Sequence, residues 1–140
     1  METVEVLMVE DNRGDVVLVQ EAVTKAGLPH HITVVGDGEE ALAYLRREGR
    51  YASAVRPELI IMDLNLPRKG GREVLDVILP DPAMRDIPLV LLSSSRSELE
   101  LVKTYKLPAR SCLVKPSTFA GYVDLVRAIE AYRQAAPRRV

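Results

Sequence analysis

The chain has one cysteine, Cys112, among 140 residues, so no intrachain disulfide framework can hold it and a reducing compartment fits. It also lacks an excess of either charge: 19 Lys and Arg against 20 Asp and Glu leave a formal net charge of -1. With no basic field to neutralise a phosphate backbone, nucleic acid is not an expected partner, and a protein is. No stretch approaches the roughly 20 apolar residues of a membrane span, and Met1-Glu2-Thr3 provides no basic start for a signal peptide. A cytoplasmic protein is therefore expected. The turn Glu10-Asp11-Asn12-Arg13-Gly14 lacks both the glycine-rich dinucleotide fingerprint and the P-loop lysine, which counts against a nucleotide-binding domain. Internal repeats and low-complexity segments are absent.

With 47% hydrophobic and 28% charged residues, the length suits one domain with a substantial core, residues 1–140, and leaves no room for a second. Short β-branched runs alternate with longer amphipathic ones, the pattern of βα units around a parallel sheet buried on both faces. Five strands are expected, over Val4 to Val9, His31 to Val35, Glu58 to Met62, Ile87 to Leu92 and Arg110 to Val114. The first helix spans Asp15 to Ala26 and stops at Gly27. Asp37 with Glu40 reads as a capping box for a second helix that ends at Gly49, and Ser95 with Glu98 repeats the device for the fourth. The last helix, Thr118 to Gln134, carries Phe119, Tyr122, Val126, Ile129 and Tyr132 on one stripe, with Val123 and Leu125 off it as a candidate seam between two copies. Pro137 to Val140 reads as a frayed tail. The adjacent His30 and His31 should point to opposite faces of a strand, which disfavours a shared metal site.

Glu10 and Asp11 end the first apolar run, Asp63 ends the third, Ser93 the fourth, and Lys115 follows the fifth. In a doubly wound sheet the carboxyl ends of the strands open onto one edge, so these residues should meet there as a kit for phosphoryl transfer. Val9-Glu10-Asp11-Asn12, Met62-Asp63-Leu64-Asn65-Leu66-Pro67 with Gly70-Gly71, Leu92-Ser93-Ser94 and Val114-Lys115-Pro116 together resemble the receiver domain of bacterial two-component response regulators. The resemblance covers nearly the whole chain. The longer run from Asp63 to Leu75 and the opening Glu10 to Asp15 are most similar to single-domain regulators that partner bacterial phytochrome kinases.

The resemblance implies a five-stranded, doubly wound flavodoxin-like α/β fold with five helices and no separate output domain. The implied function is a phosphorylation switch for a sensor histidine kinase, and the narrower resemblance implies a bacteriophytochrome. Asp63 is the implied phospho-acceptor, assisted by Lys115 and Ser93, and the protein catalyses only its own phosphoryl transfer and slow dephosphorylation. Crowded carboxylates need a cation, and all-oxygen ligands suit Mg²⁺. The expected ligands are Asp11, Asp63 and the backbone carbonyl of Asn65, with Glu10 acting mainly through water. Asn65 and Ser95 resemble the two positions that tune phosphoryl lifetime.

Ser93 is the expected switch hydroxyl, and Cys112 occupies the place where many receivers carry an inward-turning Tyr or Phe. In isolation Cys112 reads as a small core hydrophobe. Output is expected through protein contacts with an unknown downstream partner and a possible homodimer. Two other readings compete. A phosphatase of the haloacid dehalogenase type would want a second acid where Asn65 stands, and a binding module would work without phosphorylation.

Overall fold

In a computed structural model, which describes residues 2–136, five parallel strands form one sheet in the order β2-β1-β3-β4-β5. The strands are β1 (Val4–Val9), β2 (His30–Val35), β3 (Leu59–Asp63), β4 (Leu89–Ser93) and β5 (Cys112–Val114). They alternate with α1 (Arg13–Ala26), α2 (Gly38–Arg46), α3 (Gly71–Ile78), α4 (Arg96–Glu100) and α5 (Phe119–Ala135). This is the expected doubly wound architecture. The expected tail at Pro137 to Val140 lies outside the described residues. Among the described residues no helix is long and apolar enough to cross a membrane.

The apolar runs of β3 and β4 are buried throughout, as strands covered on both faces must be. One face packs Met8, Ile61 and Leu92 against Val19 and Val23 of α1 and Val126 and Ile129 of α5. The other packs Leu7, Ile60 and Leu91 against Leu42 of α2, Val74 and Leu75 of α3, and Leu99 of α4. Local chemistry sets the helix limits. The Asn12 side chain accepts from Asp15 N at 3.0 Å to open α1, and Gly27, at φ 68°, closes it where a left-handed residue is needed.

Several expectations need correction. α2 ends at Arg47, itself left-handed at φ 56°, while Gly49 opens the 3-10 turn Gly49–Tyr51. Asp37 caps α2 by accepting from Glu40 N at 2.8 Å, but the Glu40 carboxylate turns to Gly36 N, Tyr51 and Arg50 and leaves the reciprocal half of a capping box unmade. At α4 the Ser95 hydroxyl pairs with Ser97 instead of capping, and the helix is only five residues long. The chain then passes through a 3-10 turn, Lys103–Tyr105, whose tyrosine donates to Asp76 of α3 at 2.8 Å. On α5, Phe119 is 40% exposed and so outside the core stripe, whereas Val123 and Leu125 are buried within the domain and leave no free seam. The five-stranded prediction holds, although β5 is shorter than expected.

At the edge of the sheet opposite the carboxyl ends, His30 and His31 diverge as expected. The exposed His31 meets Glu5, while His30, its side chain buried, donates from Nε2 to Glu130 of α5 at 2.9 Å. Glu130 is also gripped by Arg133 through two contacts of 2.8 and 2.9 Å and by Gln134 at 3.0 Å. The Arg133 hydrogen bond is the main cause that lowers the Glu130 carboxyl from its ordinary 4.5 to about 2, against a burial that favours the neutral form. A depressed acid stabilises the fold above its unfolded pKa and loses that contribution as pH falls through the folded one. Glu130→Gln should therefore lower the unfolding free energy near pH 7 by about 2–3 kcal/mol. In denaturant titrations, the gap between wild type and variant should close as pH falls from about 5 to about 2; a gap independent of pH would refute the assignment.

Candidate phosphoryl-transfer site

The switch point of the strand order lies between β1 and β3, where the chain first winds one way and then the other, and a crevice opens there at the carboxyl ends. The register places Val9 beside Met62, so Glu10 and Asp63, each the next residue along, emerge side by side. On the other flank Ser93 pairs with Val114, and Lys115 N donates to the Ser93 carbonyl at 2.8 Å, which directs the lysine back toward the crevice.

Lys115 is the hub. Its Nζ lies 2.7 Å from Asp15 Oδ2, 2.8 Å from Glu10 Oε1 and 2.9 Å from Asp63 Oδ2, with only 8% of the side chain exposed. Burial opposes its charge, but the bonds to Asp15, Glu10 and Asp63 prevail and raise its pKa above the ordinary lysine value. Asp63 is buried, and its Oδ1 accepts from Asn65 N at 3.0 Å, so the loop after β3 fixes the carboxylate plane. Glu10 Oε2 accepts from Asn12 N at 3.2 Å. Its buried Oε1 faces the Lys115 ammonium at 2.8 Å. Burial, then the hydrogen bond shared with Asp63, pushes the Glu10 carboxyl from 4.5 up to about 7 in spite of Lys115.

Glu10, Asp11 and Asp63 each offer an oxygen within 4.8 Å of the others. The buried Glu10 and Asp63 carboxylates, an exposed Asp11 beside them and an all-oxygen donor set suit a hard divalent cation such as Mg²⁺. Asp11, Asp63, Asn65 and Lys115 line one open cleft, with Ser94 and Glu98 on its α4 side. Of the other expected residues, Ser93 is buried, its hydroxyl donating to Ser95 O and accepting from Ser95 N, both at 3.0 Å. Ser95 is tied to Ser97, and the half-buried Cys112 packs on the α2–α3 face, where burial raises its thiol pKa and keeps it in the unreactive form. Asp15, which the sequence offered as the start of a helix and the end of the opening Glu10 to Asp15 run but not as a site residue, is a member of the site. Its place in the first turn of α1, just after the acidic pair Glu10 and Asp11, was the available signal.

The β3–α3 loop is held from outside the cleft. Asp37, the α2 cap, accepts from Arg68 Nε at 3.0 Å and Nη2 at 2.6 Å. Arg68 and Lys69 both sit in the left-handed region, at φ 49° and 58°, and a Cβ at Gly38 would strike the Lys69 carbonyl. Two successive non-glycine residues in that region cost free energy that the Asp37 contact offsets.

Residues 6–127 match the model of the response regulator receiver domain. Response regulator Rcp1 of Synechocystis sp. is 37% identical over 127 residues, 91% of this chain and 86% of that protein. Its crystal structure in the Mn²⁺-bound form superposes with a TM-score of 0.82 at 34% identity, covering 97% of this chain and 99% of that one. The phosphorylated cyanobacterial phytochrome response regulator RcpA gives 0.83 at 42% identity, covering 97% of both chains. The bacteriophytochrome response regulator AtBRR gives 0.78 at 36%, covering 93% and 94%.

Because a cation needs Glu10 ionised and its pKa stands near 7, a proton and the cation compete at neutral pH. Mg²⁺ should bind up to about tenfold more tightly at pH 8 than at pH 6. Calorimetric titration of the metal-free protein checks this, and equal affinities at the two pH values would count against it.

Proposed function

This chain belongs to the response regulator receiver domain family, and on that premise we propose that it accepts a phosphoryl group from a sensor histidine kinase on Asp63. The observation that carries the reading is the contact of 2.9 Å between Lys115 Nζ and Asp63 Oδ2, beside the carboxylates that suit a cation. The likeness to the phytochrome response regulator RcpA and the bacteriophytochrome response regulator AtBRR points to a kinase of the phytochrome class.

In the forward step a carboxylate oxygen of Asp63 forms a bond to the donor phosphorus while the phosphorus–nitrogen bond of a phosphohistidine breaks, its electron pair returning to the imidazole. Asn65 N holds the other carboxylate oxygen, and Lys115 offers its ammonium to the oxygens of the transferring group. Mg²⁺, held by Glu10, Asp11, Asp63 and the Asn65 carbonyl, would screen the negative charges brought together. Hydrolysis reverses the gain as a water oxygen replaces Asp63 on phosphorus. Small polar residues at Asn65 and Ser95 leave that water room, so the phosphoryl lifetime is set by the chain itself.

The switch begins at Ser93, whose hydroxyl must give up Ser95 to reach a phosphoryl oxygen. Moving it draws on α4, a helix of five residues anchored by the buried Leu99 and followed by Val102. With Cys112 at the position of the usual aromatic, the change is carried by repacking of this face to a downstream protein. A homodimer, where it forms, uses surface other than Val123 and Leu125, which are buried.

Incubation with acetyl phosphate and Mg²⁺ should give one phosphoryl adduct by intact-protein mass, and none with Asp63→Asn or with the metal chelated. No adduct on folded wild type with Mg²⁺ present would favour a module that binds its partner without phosphorylation.

A further inference from the structure

The ammonium of Lys115 has three hydrogens, and three carboxylates surround it. Glu10 and Asp63 belong to the cluster suited to a cation; Asp15 does not. Asp15 makes the shortest of the three contacts, 2.7 Å, and projects from a backbone pinned by its own N–H bond to the Asn12 cap. Its second oxygen lies 3.5 Å from the hydroxyl of Tyr122, a buried residue of α5. Thus a lysine from β5 is tied through one carboxylate to α1 and placed against α5.

We infer that Asp15 is a positioning residue for phosphoryl transfer, the fixed anchor about which the Lys115 ammonium turns from Asp63 to the phosphoryl oxygens. The inference rests on the function proposed above. When an Asp63 oxygen becomes bonded to phosphorus, the carboxylate loses its charge and the incoming oxygens carry it. The lysine donor that faced Asp63 must then redirect. A lysine stem has four flexible carbons, and an ammonium without an anchor would have to be ordered during the reaction itself. Asp15 bonds neither the phosphorus nor the cation cluster, so its contact with the ammonium can persist while Asp63 reacts.

Asp15→Asn preserves shape and removes the charge, and two readouts separate positioning from plain structural support. At saturating Mg²⁺, the maximal rate of phosphorylation by acetyl phosphate should fall about tenfold while the half-saturating donor concentration moves less than about twofold. In the metal-free protein, the slowly exchanging ¹⁵N ammonium resonance of Lys115 should be lost. Asp15→Glu should recover part of both. An unchanged maximal rate, with or without a lower Tm, overturns the inference. So does a faster rate, which would make Asp15 a competitor for the ammonium. If wild type forms no adduct, the function reading fails, and the Lys115 resonance alone decides: its persistence in Asp15→Asn overturns the anchor.

Discussion

Everything at the carboxyl edge of the sheet depends on one buried ammonium. Two like charges at 4 Å repel by about 4 kcal/mol at an effective dielectric near 20, and here Glu10, Asp11, Asp15 and Asp63 converge on one crevice. Lys115 answers only part of that repulsion. The opposite behaviour of the two partners shows how much remains: the lysine is held more firmly in its charged form, while Glu10 is driven toward its neutral form, to about 7. A site left short of positive charge in this way is poised for a divalent cation.

The parallel sheet makes this arrangement possible. Antiparallel pairing would send neighbouring strand ends to opposite edges, whereas the register of β1 on β3 and of β4 on β5 delivers Glu10, Asp63 and Lys115 to one edge from segments far apart in sequence. The strands are fixed by burial, but the loops are not, and the loop after Asp63 needs its own restraint. Asp37 and Arg68 provide it. Asp37 caps α2 through Glu40 N and holds Arg68 through its other oxygen, so one buried carboxylate joins the start of α2 to the β3–α3 loop that carries the Asn65 amide.

How far the sequence revealed this follows from the range of the forces. Apolar periodicity is local, so β1, β3 and β4 and the run of α1 to Gly27 were legible in the order of residues. The residues at the strand ends were legible too, because chemistry at the end of a buried strand has no packing explanation. Tertiary contacts were not. Glu40 abandons its expected cap because Arg50 and Tyr51 come within reach, and α4 stops after one turn where Tyr105 reaches Asp76 of another helix. Phe119 reads as core by spacing, but it lies at the first position of α5, exposed beside Gln20, Glu21 and Thr24 of α1. Asp15 was hidden for a related reason. An acid in the first turn of a helix is explained well enough by the helix dipole, and only the fold places it against a lysine a hundred residues away.

The missing aromatic at Cys112 and the extra carboxylate at Asp15 bear on one question, which element moves with the state of the site. A ring turning inward beside β5 would couple the crevice to the α4 side of the sheet. Here that position holds a thiol packed among apolar neighbours, with no bulk to swing. The polar connection runs the other way, from Lys115 through Asp15 to the Tyr122 hydroxyl on α5. Tyr122 is buried against the α1–α5 layer, so a change in the lysine's partners is felt first where those two helices pack. The α4 side is reached by a separate path, through Ser93 and the short helix behind it. The two paths meet at the phosphoryl oxygens of the proposed reaction and in the bond from Lys115 N to the Ser93 carbonyl, so both faces of the sheet can respond to the same event, each through its own side-chain contacts.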